Sequence, residues 1–298
     1  MGVVSGFRLW EWRNVAIESA IASDIPPAEI DWLLLEVTEL DRLALRLESF
    51  KNQPQIELQL PFEDLELLWK KRLTERLPVQ YITGITPWRQ FRLRVSPAVL
   101  IPRPETEFLI DLAVERVKLY PGLNQGNWVD LGTGSGAIAL GLAGAFPGAI
   151  FHAVDVSSDA LAIAQQNARD HQLEHRIKFY QGSWWEPLVD LKGKITAMVS
   201  NPPYIPTETV LTLQPEVVNH EPHLALDGGI DGLDDIRHLV EMAPTYLEDG
   251  GLWMVEMMQG QAEAIYRLLE TQGSYENIEI RQDLAGIERY AIANKKYS

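Results

Sequence analysis

The sequence predicts a doubly wound α/β domain from about residue 90 to the end of the chain, with a small helical region before it. In the C-terminal two thirds, short apolar runs alternate with stretches of helical periodicity, as in a sheet covered by helices on both faces. One run, residues 128–131, breaks at a glycine-rich turn and is followed by an apolar helical stretch from Ala137. The N-terminal residues instead place leucines at spacings of three and four, as amphipathic helices do.

The composition is that of an ordinary globular protein, and its charge and lack of cysteine argue against several classes of function. The 298 residues are 46% hydrophobic, and 42 acidic against 26 basic residues give a net charge of −16. This charge opposes binding through phosphate contacts, so we expect no direct nucleic-acid partner. The absence of cysteine excludes disulfides, thiolate chemistry and cysteine-ligated zinc. The sequence has neither a membrane-length apolar window nor a signal peptide, so we expect a cytoplasmic protein with no membrane partner.

Residues 1–77 are predicted to form a helical domain. Apolar residues recur at helical spacing between Leu33 and Leu47, and a second amphipathic stretch runs from Pro61 to Leu77 and ends at Pro78. Such a domain is either a small bundle whose tryptophans fill its core or a module that docks a partner. The periodicity leaves both interpretations open.

Residues 78–100 are predicted to form a β-hairpin linker to a second domain, residues 101–298. Phe91, Leu93 and Val95 alternate with charged residues after a turn at Gly84. The segment 100–107, Leu-Ile-Pro-Arg-Pro-Glu-Thr-Glu, then places Pro104 where a helix can begin, with acidic residues near the positive end of the helix dipole. On this pattern alone the segment is a linker followed by a helix cap.

Two of the predicted strands in the second domain are followed by side chains that could contact a ligand. Asp155 follows the second strand and lies 23 residues after Gly132, about where such folds place a carboxylate that binds ribose hydroxyls. Helix capping is the alternative role, although Ser157 is already available as a cap. Trp184 and Trp185 follow the third strand, where an indole ring packs either on an adenine ring or into the core. The strands are predicted at residues 128–131, 149–154, 177–180, 195–200, 251–256, 278–280 and 289–292.

The glycine turn predicts a ligand site without identifying the ligand. Such a turn brings backbone N–H groups and a helix N-terminus close to a bound group. The spacing of Gly132, Gly134 and Ala137 also fits the fingerprint for nicotinamide dinucleotides, so the glycines alone leave a dinucleotide and S-adenosylmethionine as alternatives. The candidate cofactor-binding residues are Gly132, Thr133, Gly134, Ser135, Gly136, Asp155, Trp184 and Asn201.

Asn201-Pro202-Pro203-Tyr204 follows the fourth strand and favours the methyl donor. The nitrogen of a planar amide or exocyclic amine is a poor nucleophile because its lone pair is delocalised. The Asn201 oxygen can accept one N–H of such a group, and a carbonyl of the proline-stiffened turn can accept the other. Tyr204 offers a flat face, and a methyl donor held in line makes positioning the main source of catalysis. We therefore predict an amide or amino N-methyltransferase with Asn201, Pro202 and Tyr204 as catalytic residues and substrate contacts to all four.

Two other groups of residues give only weak signals of function, a histidine pair and a serine between glycines. His220 and His223 are a pair without an evident third ligand, so no metal site is predicted. Ser135 lacks the flanking glycines of a hydrolase nucleophile turn, because Thr133 and Ala137 occupy those positions.

With these motifs in view, the sequence resembles the protein-glutamine N5-methyltransferases that act on peptide chain release factors. The resemblance covers nearly the whole chain and rests on residues 78–84, 100–107, 130–136, 201–204, 221–229 and 231–233. It implies a helical domain that docks the release factor and a Rossmann-like, seven-stranded class I methyltransferase domain. It also implies S-adenosylmethionine at residues 132–136, Asp155 and Trp184, with residues 201–204 holding the glutamine of a Gly-Gly-Gln loop. The segment 100–107 thereby becomes part of a specific signature instead of a mere linker.

Two positions depart from the family pattern, and two other functions stay open. Met257-Met258 follows Glu256 where relatives usually carry a small or polar residue and glycine, and Glu288 stands where aspartate is commoner; both bear on local packing. An adenine-N6 methyltransferase acting on DNA or RNA would use the same Asn-Pro-Pro-Tyr chemistry, although the acidic balance counts against it. A binding protein without turnover is the third class. We expect a monomer, because no interface pattern stands out.

Overall fold

The computed structural model describes residues 1–297 and divides the chain into two units. The first comprises Met1–Gly84 and Pro215–His220, and the second comprises Ile85–Gln214 and the residues from Glu221 onward. The first unit extends past residue 77, the predicted end of the helical domain, because Val79–Thr83 forms a further short helix. It also takes in six residues that sequence order would assign to the second domain.

The first unit is mostly helical and has an apolar core of its own. Its helices are α1 (Gly6–Ala22), α2 (Ala28–Val37), α3 (Arg42–Leu47), α4 (Phe62–Thr74), α5 (Val79–Thr83) and Pro215–His220, numbered α10 from its place in the chain. Ser5 starts α1, since its hydroxyl accepts the Arg8 N–H at 3.2 Å. Trp69 is buried among the leucines of this core, as a bundle with aromatic filler requires.

Two features of the first unit lie outside the helical prediction. The strands β1 (Gly2–Val4) and β2 (Ile56–Leu58) pair antiparallel, and each is too short to show a period of two in the sequence. The Arg72 side chain of α4 is 4% exposed and bonds to Glu29 of α2 and Glu216 of α10. A buried guanidinium group therefore ties three helices of this unit together.

The second unit begins with the predicted hairpin. Strands β3 (Ile85–Trp88) and β4 (Phe91–Arg94) pair antiparallel, with Trp88 opposite Phe91. The helix after the segment 100–107, α6 (Glu107–Leu119), starts three residues later than the expected start at Pro104. The prediction was wrong here because residues 104–106 form turns, in which the Thr106 and Glu107 N–H groups bond to Arg103 and Pro104 carbonyls.

Seven strands form the central sheet of this unit, as the resemblance implied. They are β5 (Gly126–Leu131), β6 (Ala149–Asp155), β7 (Ile177–Gln181), β8 (Ile195–Ser200), β9 (Leu247–Glu256), β10 (Tyr275–Gln282) and β11 (Glu288–Lys295). Their order is β10-β11-β9-β8-β5-β6-β7, in which β5 to β9 run parallel and β11 pairs antiparallel with both β9 and β10. The chain builds outward from β5 to β7 and then returns to the other side of β5, which creates a switch point beside this strand.

Helices cover both faces of the sheet, which confirms the doubly wound prediction. Besides α6, the helices of this unit are α7 (Ala137–Ala145), α8 (Ser158–Asp170), α9 (Thr207–Val210), α11 (Asp234–Tyr246) and α12 (Ala262–Gln272). Along β5, Trp128 packs with α6 and α7 on one face of the sheet, and Val129 packs with α11 and α12 on the other. Met257, one departure from the family pattern, is fully buried in the apolar core between the sheet and helices α11 and α12, so it is a packing residue. Glu288, the other departure, is exposed at the start of β11. No helix within residues 1–297 has the length and apolar character needed to span a membrane.

Candidate active site

The glycine turn and the Asn-Pro-Pro-Tyr segment meet at one edge of the sheet. The turn follows β5 and the segment follows β8, and these two strands are parallel neighbours, with Leu131 opposite Ser200. Ligands of open α/β sheets bind outside the carboxyl ends of the strands near a switch point. The sheet topology thus joins two motifs that lie 69 residues apart in the sequence.

A cavity of about 500 Å³ lies at this edge, a volume typical of small-molecule sites. Several predicted site residues line it: Gly132, Gly134, Asp155, Trp184, Asn201 and Pro203. The remaining predicted residues, Thr133, Ser135, Gly136, Pro202 and Tyr204, lie beside these in the chain without lining the cavity. Pro202 is buried and Tyr204 is partly exposed.

The glycine turn is held by backbone hydrogen bonds to the neighbouring strand. The N–H groups of Gly132 and Thr133 both donate to the Val154 carbonyl of β6 at 2.9 Å. Gly136 has a φ of +83°, and a Cβ there would lie 3.1 Å from Ala164 of α8, so glycine allows the close approach of the turn to this helix. These contacts fix the turn between β6 and α8.

Asp130 is a site residue that sequence reasoning missed. Its Oδ2 accepts the Thr133 hydroxyl at 2.6 Å and the Ala139 N–H at 3.0 Å, which joins the last part of β5 to the start of α7. Burial raises the pKa of this carboxyl group to about 7, against the lowering effect of both bonds. Its position inside an apolar strand hid it, although a buried acid directly before a glycine turn is itself a signal.

Asp155 combines a structural role with a place at the cavity. Its Oδ2 accepts the Gly134 N–H at 2.8 Å, and its Oδ1 accepts the Ser157 N–H at 2.9 Å. The Ser157 hydroxyl caps α8 by accepting the Ala160 N–H at 3.2 Å, so capping does not require Asp155. Burial raises the pKa of Asp155, and the bonds from the backbone oppose the shift. Each carboxylate oxygen keeps lone-pair capacity for a ligand hydroxyl.

The two tryptophans after β7 have different surroundings. Trp184 lines the cavity, where a Cβ at Gly132 would lie 3.5 Å from its ring. Trp185 is 1% exposed and stacks on Tyr246, with ring centroids 4.6 Å apart. The sequence left two roles open for these indole rings, packing on a ligand or into the core. In the structure Trp184 is available to a planar ligand, and Trp185 belongs to the core.

Hydrogen bonds to three other side chains hold the Asn-Pro-Pro-Tyr segment in place. Asn201 Nδ2 donates to the Thr106 hydroxyl at 3.1 Å, the Tyr204 hydroxyl donates to Glu256 Oε1 at 3.0 Å, and Gln261 donates to the Tyr204 carbonyl at 2.9 Å. Within residues 1–297, no protein donor bonds to Asn201 Oδ1 or to the Pro202 carbonyl. In the described chain, the Asn201 oxygen is therefore unpaired at a residue that lines the cavity, and the Pro202 carbonyl, unpaired as well, follows it directly in the chain.

The segment 100–107 lies against these motifs, which explains its place in the signature. Arg103 forms an ion pair of 2.8 Å with the buried Glu221, and the Glu105 carbonyl accepts the Tyr290 hydroxyl at 2.6 Å. Burial raises the pKa of Glu221, and Arg103 opposes the shift. Contacts at Arg103, Glu105 and Thr106 thus anchor the segment, the last of them at Asn201.

The charges of the cavity fit S-adenosylmethionine better than a dinucleotide. Three aspartates line it, Asp155, Asp159 and Asp235, and the described lining residues include no lysine or arginine. Carboxylates favour a sulfonium cation and repel a pyrophosphate, whose two negative charges call for donors or cations. A partly exposed indole at Trp184 and carboxylate oxygens at Asp155 suit the adenine and ribose portions. The structure thereby favours one of the two ligands that the glycine spacing left open.

Gly134→Ala is expected to weaken S-adenosylmethionine binding by about tenfold, because a φ of +54° costs an L-residue about 1–2 kcal/mol and strains the cavity wall. A Cβ at Gly134 meets no protein atom within 4 Å, so the methyl group clashes with nothing but takes up space beside the cavity. Isothermal titration calorimetry measures the change. Gly122→Ala is the matched control, since Gly122 also has open space but no positive φ, and an equal loss there would contradict the prediction.

No metal chemistry is indicated by the arrangement of side chains. Among the residues that the structure describes, no group of three His, Asp or Glu side chains is placed to hold a metal ion. The His220 ring contacts the Glu75 carbonyl at 2.7 Å within the first unit, which is a structural contact.

Comparisons with known proteins identify relatives of this chain. A family profile described as "Methyltransferase small domain" matches residues 106–230. The chain is 52% identical over 293 residues to a release factor glutamine methyltransferase of Synechocystis, covering 98% of each chain. It is 47% identical to a protein of the same name from Thermosynechococcus vestitus, covering 96% of this chain and 97% of the relative.

Solved structures support the fold alone, because their sequence identities are low. The catalytic domain of human Mettl16 in complex with an RNA hairpin is 15% identical, covers 89% of both chains and has a TM-score of 0.56. A methyltransferase from Pyrococcus furiosus is 16% identical, covers 79% of this chain and 98% of its own, and has a TM-score of 0.50.

Proposed function

Because the chain belongs to the release factor glutamine methyltransferase family, we propose that it methylates the side-chain nitrogen N5 of the glutamine in the Gly-Gly-Gln motif of peptide chain release factors. The observation that carries this proposal is a pair of adjacent acceptors without a donor in the described chain, Asn201 Oδ1 at the cavity and the carbonyl of the next residue, Pro202. A primary amide has two N–H groups and matches this pair.

The residues of this chain act mainly by positioning the amide. Asn201 Oδ1 accepts one N–H, the Pro202 carbonyl accepts the other, and the Tyr204 ring lies flat against the amide plane. Two accepted hydrogen bonds favour a nitrogen whose lone pair is free of the carbonyl. S-adenosylmethionine supplies, when bound, an electrophilic methyl group on a sulfonium. The nitrogen becomes acidic as it gains the methyl group and releases a proton to water, so no side chain has to serve as a strong base.

The cofactor is assigned to the aspartate-lined side of the cavity. Gly132, Gly134 and their neighbours 133, 135 and 136 form the loop beside the amino-acid portion, Asp155 accepts the ribose hydroxyls, and Trp184 packs on the adenine ring. The absence of lysine and arginine from the described lining supports a cationic ligand here. Asn201 lines the same cavity and thus stands between cofactor and amide.

The helical unit is assigned the docking of the release factor. Its own apolar core supports a separately folded module, and the net charge of −16 suits a basic partner. We expect a monomer that works in the cytoplasm, without direct contact to nucleic acid.

The test incubates the purified chain with methyl-labelled S-adenosylmethionine and unmodified release factor, and locates the label by mass spectrometry. One methyl group on the Gly-Gly-Gln glutamine is the expected result, and a release factor with that glutamine replaced by alanine is the matched control. Separate reactions contain single-stranded DNA, duplex DNA and RNA. Label on adenine without label on the release factor would replace the proposal by an adenine-N6 activity, and cofactor binding without any label would indicate a binding protein.

A further inference from the structure

Two buried residues outside the cavity connect the halves of the Asn-Pro-Pro-Tyr segment. Thr106 and Glu256 are 4% and 1% exposed, and neither lines the cavity. The Thr106 hydroxyl accepts the Asn201 amide N–H at 3.1 Å, and Glu256 Oε1 accepts the Tyr204 hydroxyl at 3.0 Å. Each end of the segment is therefore held by one buried polar side chain, Asn201 by Thr106 and Tyr204 by Glu256.

The direction of these two bonds fixes how the segment presents its polar atoms. Asn201 turns its NH₂ group to Thr106, whose hydroxyl oxygen accepts the hydrogen bond. The Asn201 oxygen is then left for a group on the other side of the amide. Glu256 holds the other end of the segment, because its carboxylate accepts the hydrogen of the Tyr204 hydroxyl.

We propose that Thr106 and Glu256 are positioning residues of the methyl transfer, which fix the orientation of the Asn201 amide and of the Tyr204 ring. The inference rests on the proposed function, because it assigns these residues to the same site. With the opposite orientation, the Asn201 NH₂ group would face the N–H of the substrate amide, and two donors do not bond. The bond to Thr106 therefore sets which atom of Asn201 the substrate meets.

The surroundings of Glu256 are costly for a carboxylate, which argues against a purely structural role. Burial raises the pKa of Glu256 to about 7, although Thr106 and Tyr204 oppose the shift. Its Oε2 is buried and has no hydrogen-bond partner within residues 1–297. Replacing an imperfectly satisfied buried acid by a neutral residue of the same shape often costs no stability. Stability alone therefore does not explain an acid at this position, whereas holding the Tyr204 hydroxyl does.

The test compares Thr106→Val, Thr106→Ser and Glu256→Gln with the wild-type enzyme at about pH 8, where the carboxyl group is ionised. Thr106→Val keeps the shape and removes the hydroxyl, Thr106→Ser keeps the hydroxyl, and Glu256→Gln introduces an amide that donates as well as accepts. We expect kcat to fall about 10–100-fold in Thr106→Val and about tenfold in Glu256→Gln, while Thr106→Ser stays within about twofold, as is usual for residues that orient a reactive group.

Three readouts separate positioning from folding: kcat for release factor methylation, the dissociation constant of S-adenosylmethionine, and the midpoint of thermal unfolding. We expect cofactor affinity to change little in all variants and the midpoint of Glu256→Gln to stay at or above that of the wild type. Equal kcat values in Thr106→Val, Glu256→Gln and the wild type would overturn the inference, as would losses that follow the unfolding midpoint. Failure of the proposed function is distinguishable, because the wild-type chain itself would then leave the release factor unlabelled.

Discussion

Replacing Asn201 by alanine is expected to reduce kcat by about 10³-fold, comparable to removing one preorganised hydrogen-bonding group from an active site. The substitution removes the acceptor for one substrate N–H, and with it the geometry that frees the nitrogen lone pair. It also removes the donor that bonds to Thr106 at 3.1 Å. Because Gly134, Asp155 and Trp184 line the cavity independently of Asn201, we expect the affinity for S-adenosylmethionine to change far less than kcat.

Single-turnover methylation of the release factor, combined with calorimetric titration of the cofactor, measures the two effects separately. Asn201→Asp is the informative second variant: it keeps the size of the side chain but turns an oxygen toward Thr106, so it is expected to lose activity as well. Asn52→Ala is the control, since Asn52 is exposed in the first unit. Retention of more than about a tenth of wild-type kcat in Asn201→Ala would contradict the mechanism derived from this site.

The sequence was enough to predict that the two motifs meet, because each follows a strand and parallel strands end at one edge of the sheet. The position of Asn201 after β8 and that of Gly132 after β5 were both predictable from apolar runs that stop at polar or glycine residues. Asp130 and Glu256 were missed because each lies within or at the end of a buried apolar strand. The signal was present nonetheless: an acidic residue at the carboxyl end of a buried strand carries a desolvation cost that calls for a partner.

Long-range contacts account for the parts of the fold that the sequence did not reveal. The assignment of α10 to the first unit depends on side chains more than 140 positions apart, such as Arg72 and Glu216. The choice between Trp184 and Trp185 as the cavity residue depends on the backbone, since Trp184 has a φ of +49° and the two side chains diverge. Neither periodicity nor spacing contains such information, whereas a largely parallel sheet covered by helices follows from the alternation of strands and helices.

Arg72→Met is expected to lower the free energy of unfolding of the first unit by about 3 kcal/mol, the scale of losing one partner of a buried ion pair. Arg72 donates to both oxygens of Glu29, at 2.7 and 2.9 Å, and to Glu216 at 2.8 Å. Burial alone would raise the pKa of Glu216, but Arg72 and Arg76 outweigh it and hold this pKa below 4.5. The substitution leaves two partly buried carboxylates without their main cation while preserving the apolar contacts of the stem.

The stability difference between the wild type and Arg72→Met should depend on pH. A carboxyl group whose pKa is depressed by folding contributes stability above its unfolded pKa, and that contribution is lost as the pH falls through the folded value. The difference between wild type and Arg72→Met should therefore be full near neutral pH and shrink below about pH 4. Denaturant titrations followed by circular dichroism measure it, with Lys70→Met as the control, because Lys70 is exposed on the same helix. A difference that is the same at neutral and acid pH would assign the loss to packing of the Arg72 stem instead of its charge.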